Sequence, residues 1–305
     1  MLEIIDNALV FTFPEVHPKA QLAVSFMRTL RVPDNGKDHP LPTGLGQFPV
    51  QHVDDFADRV PAAWREHGGV MFPMYQSEAL RLNFSGPYPF ALKVAAGKIN
   101  AITGEAWCPG LNRKPQDYLV QPKQFWLNGY TIAKGTVRQF IAEPIGPGYT
   151  AEEQITGVAK FGGIQLAAFP MKRSSYDRYF PPRPPAPEPV VSYSIGPRGD
   201  IRFSLRDDMG LAPGGLLREE VLEDAYSLDD WDTEHTSRCF VHLCNSLAWQ
   251  KITGTKPPNA PPSAKDYKEN ELPWFECYRD GAKPLPGSAL LAKLKSLTTF
   301  RRADA

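Results

Sequence analysis

GVMFPMY (69–75), EALRLNFS (78–85), YPFALKVAA (88–96), KINAITG (98–104), DYLVQP (117–122), FWLNGYTIA (125–133) and TVRQFIAEP (136–144) carry the strongest strand signal in the chain. Breaks such as Ser85-Gly86-Pro87, Ala96-Gly97 and Gly135 are too short to hold crossover helices. A strand series with tight connections predicts antiparallel pairing in a meander or sandwich.

The pattern extends outward on both sides. ALVFTF (8–13) and QLAVSFMRTLRV (21–32) alternate apolar positions, and Pro14–Lys19 suits a hairpin loop, so an antiparallel pair is expected. PDNGKDHPLPTGLGQ (33–47) is almost wholly turn formers and reads as a long ordered loop before a short strand at 48–53. Asp54 or Asp55 can cap a helical stretch reaching Glu66, which Pro61 would kink or split. GGIQLAAF (162–169) closes the strand system.

The chain has 31 prolines among 305 residues, about twice the ordinary share of ~5%. Proline lacks the donor that helices and central strands need, so this composition favours short elements ended by rigid turns. In PPRPPAPEP (181–189) six of nine residues are proline, which predicts a stiff extended spacer. The expected organisation is therefore an antiparallel β-rich domain at 1–180, the spacer at 181–189, and a smaller α+β region at 190–305 packed on the first. The fold class is β-rich α+β, with a sandwich or barrel-like sheet system. VVSYSI and DIRFSL read as a hairpin opening the second region, GLAPGG (210–215) as a backbone turn, KPPNAPPSAKD (256–266) as a second proline loop, and SALLAKLKSLTTF (288–300) as a final amphipathic helix.

Thirty-four basic side chains balance thirty-four acidic ones, so no global field favours nucleic acid or an anionic membrane. The N-terminus lacks a basic region leading into a long apolar run, and no stretch has the length of a membrane span. Four unevenly spaced cysteines in so large a chain read as reduced thiols rather than staples. These features predict a soluble cytoplasmic protein.

Reactive residue types concentrate in SLDDWDTEHTSRCFVHLCNSLAWQKITG (227–254). Asp232 as N-cap and Gly254 as the terminating residue predict a helix over 233–252. On that helix His235, Cys239, His242 and Ser246 would form one polar stripe, opposite Phe240, Leu243, Cys244 and Leu247. A thiol between two imidazoles suits a Cys239 nucleophile assisted by His235 or His242, and the same nitrogen and sulfur donors suit zinc. A solvated or packing face explains the stripe equally well. Upstream, Asp230, Asp232 and Glu234 alternate in a way that could ligate calcium or magnesium, although an acidic lead-in to a helix is the simpler account. A third set, Gln76, Glu78, Glu105 and Glu143 with Trp107 and Trp126, could hold a sugar-like ligand if folding brought it together.

PMYQSEALRLNF, YPFALKVAAGKINAITG, GYTAEEQITG, FGGIQL, RCFVHLCNSLAWQKITG, PPSAKDY and LPWFECY resemble segments of an uncharacterised bacterial and fungal family of hypothetical proteins. The resemblance implies that most of the chain is one inherited unit, and it carries no activity, fold or site residues. A β-rich scaffold with many ordered loops and no catalytic signature predicts a binding or assembly protein for a protein or small-molecule ligand, with a homo-oligomer open. The alternatives are a thiol- or metal-dependent enzyme using the Cys/His stripe, and a carbohydrate-binding sandwich.

Overall fold

Asp6 and Asn7 both take left-handed backbone angles, φ 49° and 59°. Such a two-residue turn suits a tight hairpin, and it joins β1 (Leu2–Ile5) to β2 (Ala8–Thr12) with Ile5 opposite Ala8. The second hairpin is the expected one: β3 (Gln21–Thr29) runs back along β2 with Thr12 opposite Gln21. The computed structural model in which these elements are seen describes residues 1–181, 208–258, 274–275 and 283–303. Most of the proline-rich spacer, the 190–205 hairpin and the stretch 259–266 lie outside the described residues.

The turn-rich stretch after β3 is more structured than a loop. It forms β4 (Asp38–His39), β5 (Leu41–Pro42), β6 (Gly44–Gln47) and β7 (Gln51–His52). Pro61 divides the next segment as expected, leaving a 3-10 turn at Asp54–Phe56 and α1 at Ala62–His67. The strand series then follows: β8 (Val70–Pro73), β9 (Ala79–Ser85), β10 (Phe90–Ala96), β11 (Ile99–Asn100), β12 (Leu119–Gln121), β13 (Trp126–Leu127), β14 (Gly129–Ala133) and β15 (Thr136–Pro144). Beyond it lie α2 (Ala151–Thr156), β16 (Ile164–Pro170), α3 (Arg173–Tyr179), β17 (Asp208–Arg218), β18 (Ser237–Cys244) and α4 (Ser246–Thr253).

Antiparallel pairing runs unbroken through β1, β2, β3, β9, β15, β17, β18, β16, β10 and β12. The sheet is large and open, not closed into a barrel. Strands from before and after the proline run share it, since β17 lies between β15 and β18. Two parallel contacts, β8 on β18 and β4 on β17, were not legible in the sequence. Apolar side chains from this sheet, among them Phe26, Phe72, Phe90 and Phe140, form the main core together with Trp231 from the segment before β18.

Two expectations are corrected. The glycine-rich 210–215 segment lies inside β17 rather than in a turn. Gln139 faces both Gly214 and Gly215 at a register shift, where Pro213 is opposite Phe140. A bulge is where a proline is tolerated in a sheet, and a side chain at Gly214 would come within 2.5 Å of Ile141. The expected helix over 233–252 is also two elements. Ser237–Cys244 is β18, paired with β16 on one edge and with β8 on the other. Burial alternates where the strand begins, with Cys239 and Val241 buried and Arg238 and Phe240 not. Backbone pairing with β16 along Ser237–Val241 and with β8 along Val241–Cys244 satisfies groups on both edges of the strand, so the non-local pairing outweighs the local helical pattern.

The helix starts only at Asn245, whose Oδ1 accepts from the amides of Leu247 (3.0 Å) and Ala248 (2.8 Å), and it stops at Gly254 as predicted. Asn245→Ala removes both capping bonds and is expected to cost about 1 kcal/mol, read as a lower urea midpoint with an unchanged slope. The C-terminal stretch forms two short helical pieces, Ala289–Ala292 and Leu297–Ala303, with Leu291, Leu294 and Leu297 buried and Leu290 exposed.

Candidate functional site

Lys93 stands at the centre of β10, paired with Ala167 in β16, and its side chain is 1% exposed. A buried ammonium must find acceptors for its three protons. It finds them in the loop between β11 and β12: Asp117 Oδ2 at 2.7 Å, the Cys108 carbonyl at 2.8 Å and the Gly110 carbonyl at 2.7 Å. The other Asp117 oxygen accepts from the Asn112 amide at 2.8 Å. Asn100 holds the start of the loop, accepting from the amides of Ile102 and Thr103 and donating to the Asp117 carbonyl at 2.7 Å.

A second anchor holds the other side of the loop. Arg113 donates to the Asp224 carbonyl at 2.8 Å, to Asp224 Oδ2 at 3.2 Å and to the Tyr226 carbonyl. Asp224 Oδ2 also accepts from the Tyr118 hydroxyl at 2.7 Å and the Trp231 indole at 2.9 Å. Fully partnered buried networks of this kind rigidify what they hold.

Facing this loop is the 285–290 segment, itself fixed by backbone bonds from Leu285 to Val221 (2.7 Å) and from Ser288 to Thr131 (2.9 Å). Between the two walls lies a groove of about 580 Å³. Ile102, Pro115, Leu285 and Leu290 supply its apolar lining, and Glu105, Lys114 and Glu223 line it with charge.

The residues singled out in the 227–254 block do not converge. In the strand, Cys239 and His242 project to opposite faces. Cys239 packs in the main core, and burial pushes its thiol up to about 12. His242 stacks on Trp64 at 4.7 Å, bonds the Gly68 carbonyl through Nε2 at 2.9 Å, and is pushed by burial down to about 4. His235 precedes the strand, exposed, with Nδ1 2.9 Å from Asp232, a contact that raises its pKa. No imidazole stands beside the Cys239 thiol as the helical reading required.

The carboxylates are likewise engaged. Asp230 accepts from Ser175 (2.7 Å), Tyr179 (3.0 Å), the Ser227 amide (2.9 Å) and Arg178. Asp232 caps the turn holding Glu234 and His235, accepting both amides at 2.9 Å. Among the described residues no three His, Cys, Asp or Glu side chains gather in an arrangement that would hold a metal ion.

Of the scattered set, the structure unites only part. Gln76 and Ser77 donate to the buried Glu143 carboxylate at 2.9 and 2.7 Å. Glu78 is tied to Arg28 at 2.8 Å, Glu105 lies on the groove, and Trp107 packs against Lys93. The residues that build the groove were missed except Glu105. One signal was available: Lys93 is a lone charge inside YPFALKVAA, and a charge placed there demands a partner.

Comparison with known protein families, curated proteins and solved structures finds no match for the chain.

Proposed function

We propose that this chain is a binding protein and that its ligand lies in the groove between the 101–118 loop and the 285–290 segment. The observation that carries this reading is the groove itself, about 580 Å³, within the 300–1,000 Å³ range usual for small-molecule sites. Both walls are held by buried hydrogen bonds before any ligand arrives, so little ordering cost falls on association.

The lining indicates the ligand class. Arg113 and Asp224 neutralise each other, which leaves, among the described lining residues, the carboxylates of Glu105 and Glu223 against the ammonium of Lys114. Among the described residues the lining contains no aromatic side chain, which disfavours stacking on a sugar ring. An aliphatic molecule carrying an amine fits both the charge and the apolar patches.

Ligand-observed NMR with a set of aliphatic amines and matched carboxylates tests this on the full chain. Amines are expected to bind and to lose at least about tenfold in affinity, roughly 1.4 kcal/mol, in Leu290→Arg. Leu290 is 44% exposed, so that change fills the groove without disturbing the core. Equal binding to the variant, or preference for the carboxylates, contradicts the proposal.

A further inference from the structure

We infer that the groove takes a free amino acid with a basic aliphatic side chain, which rests on the amine-binding reading above and names the ligand class within it. The lining charges are sorted by end, and that order matches such a molecule group for group.

Two contacts between the walls mark the ends of the groove. At one end Arg113 donates to the Asp224 carbonyl at 2.8 Å, so their chain neighbours Lys114 and Glu223 flank that contact. At the other end Ser288 Oγ donates to the Thr103 carbonyl, and beside it lies Glu105, whose amide bonds the Thr103 hydroxyl at 3.2 Å. The 285–290 segment runs from one end to the other, from Leu285, bonded to the Val221 carbonyl, to Leu290, packed at Gly104. Lys114, Glu223 and Glu105 are all exposed on the groove, and no ion pair among the described residues uses them.

An α-amino acid head presents one carboxylate and one ammonium, the complement of Lys114 and Glu223. A second ammonium at the far end of an aliphatic chain meets Glu105, and the methylenes between them lie along Leu285 and Leu290. Simpler ligands fit less well. A monoamine answers one carboxylate and leaves the other, while a diamine sets an ammonium against Lys114, and a like charge held that close is a penalty.

Isothermal titration of the full chain with L-lysine, cadaverine and norleucine separates these contributions, because cadaverine lacks the head carboxylate and norleucine the terminal ammonium. L-Lysine is expected to bind about tenfold more tightly than either. In Lys114→Met its advantage over cadaverine should collapse toward one, and in Glu105→Gln its advantage over norleucine should do the same. Both side chains are exposed, so neither change reaches the core. Cadaverine binding as tightly as L-lysine, or an advantage that survives Lys114→Met, overturns the inference while leaving the groove an amine site. If none of the three binds, or Leu290→Arg leaves L-lysine binding unchanged, the amine-binding reading itself fails and the inference falls with it.

Discussion

Glu219→Gln is expected to abolish the main loss of stability between about pH 4.5 and pH 8. Glu219 is 4% exposed at the end of β17, and its carboxyl accepts from the Asn128 amide at 3.0 Å. Burial pushes its pKa up from 4.5 to about 8, against the opposing pull of Asn128 and of the Arg81 charge. The folded state therefore holds a proton that the unfolded chain has lost. Its contribution is complete below pH 4.5 and falls away as pH rises through 8, by about 5 kcal/mol at most. A glutamine keeps an acceptor for Asn128 and cannot ionise, so the variant should overtake the wild-type protein in urea midpoint as pH rises. Parallel stability curves for the two proteins from pH 5 to 8 would show that Glu219 is not the group responsible.

His242 acts with the opposite sign. Its pKa is lowered from 6.5 to about 4 by burial, with the nearby His67 adding to the effect and the Gly68 carbonyl opposing it. The unfolded chain then binds a proton that the folded one refuses, and stability is lost as pH falls from 6.5 through 4. The loss amounts to about 3 kcal/mol. His242→Phe preserves the stack on Trp64 and should remove that acid limb, at a constant cost of about 1 kcal/mol for the unpaired Gly68 carbonyl. In the wild-type protein the His242 ring resonances should not move between pH 7 and pH 5. Titration with a midpoint near 6.5 would mean that the ring is solvated rather than stacked between Trp64 and β18.

What could be read in advance divides along the range of the interactions involved. The strands from Val70 to Pro144 form where their alternation and turn residues place them, but β8, β9 and β10 pair with strands distant in the sequence rather than with one another, and 125–133 divides into β13 and β14. The 233–252 stretch carries two conflicting local patterns, a helical polar stripe and the alternation of Cys239, Val241 and Leu243. What decides between them is β8 and β16 on either edge, and nothing inside the stretch specifies those partners. Gly254 ends α4 as expected because a helix stop is local chemistry, whereas the cap is Asn245 rather than Asp232. The same limit applies to the site. Lys93 shows in the sequence that a buried charge needs a partner, but the partner, Asp117, is chosen by the path of the loop. The groove depends on residues near 105 and near 290 meeting across the fold.

The 101–118 loop and the 285–290 segment are the two walls of the proposed ligand site. A crystal of the full chain soaked with an aliphatic amine tests it most directly. Density for the amine between Glu105, Glu223 and Leu290 is the result expected. An amine bound elsewhere while the groove holds only solvent would contradict the account.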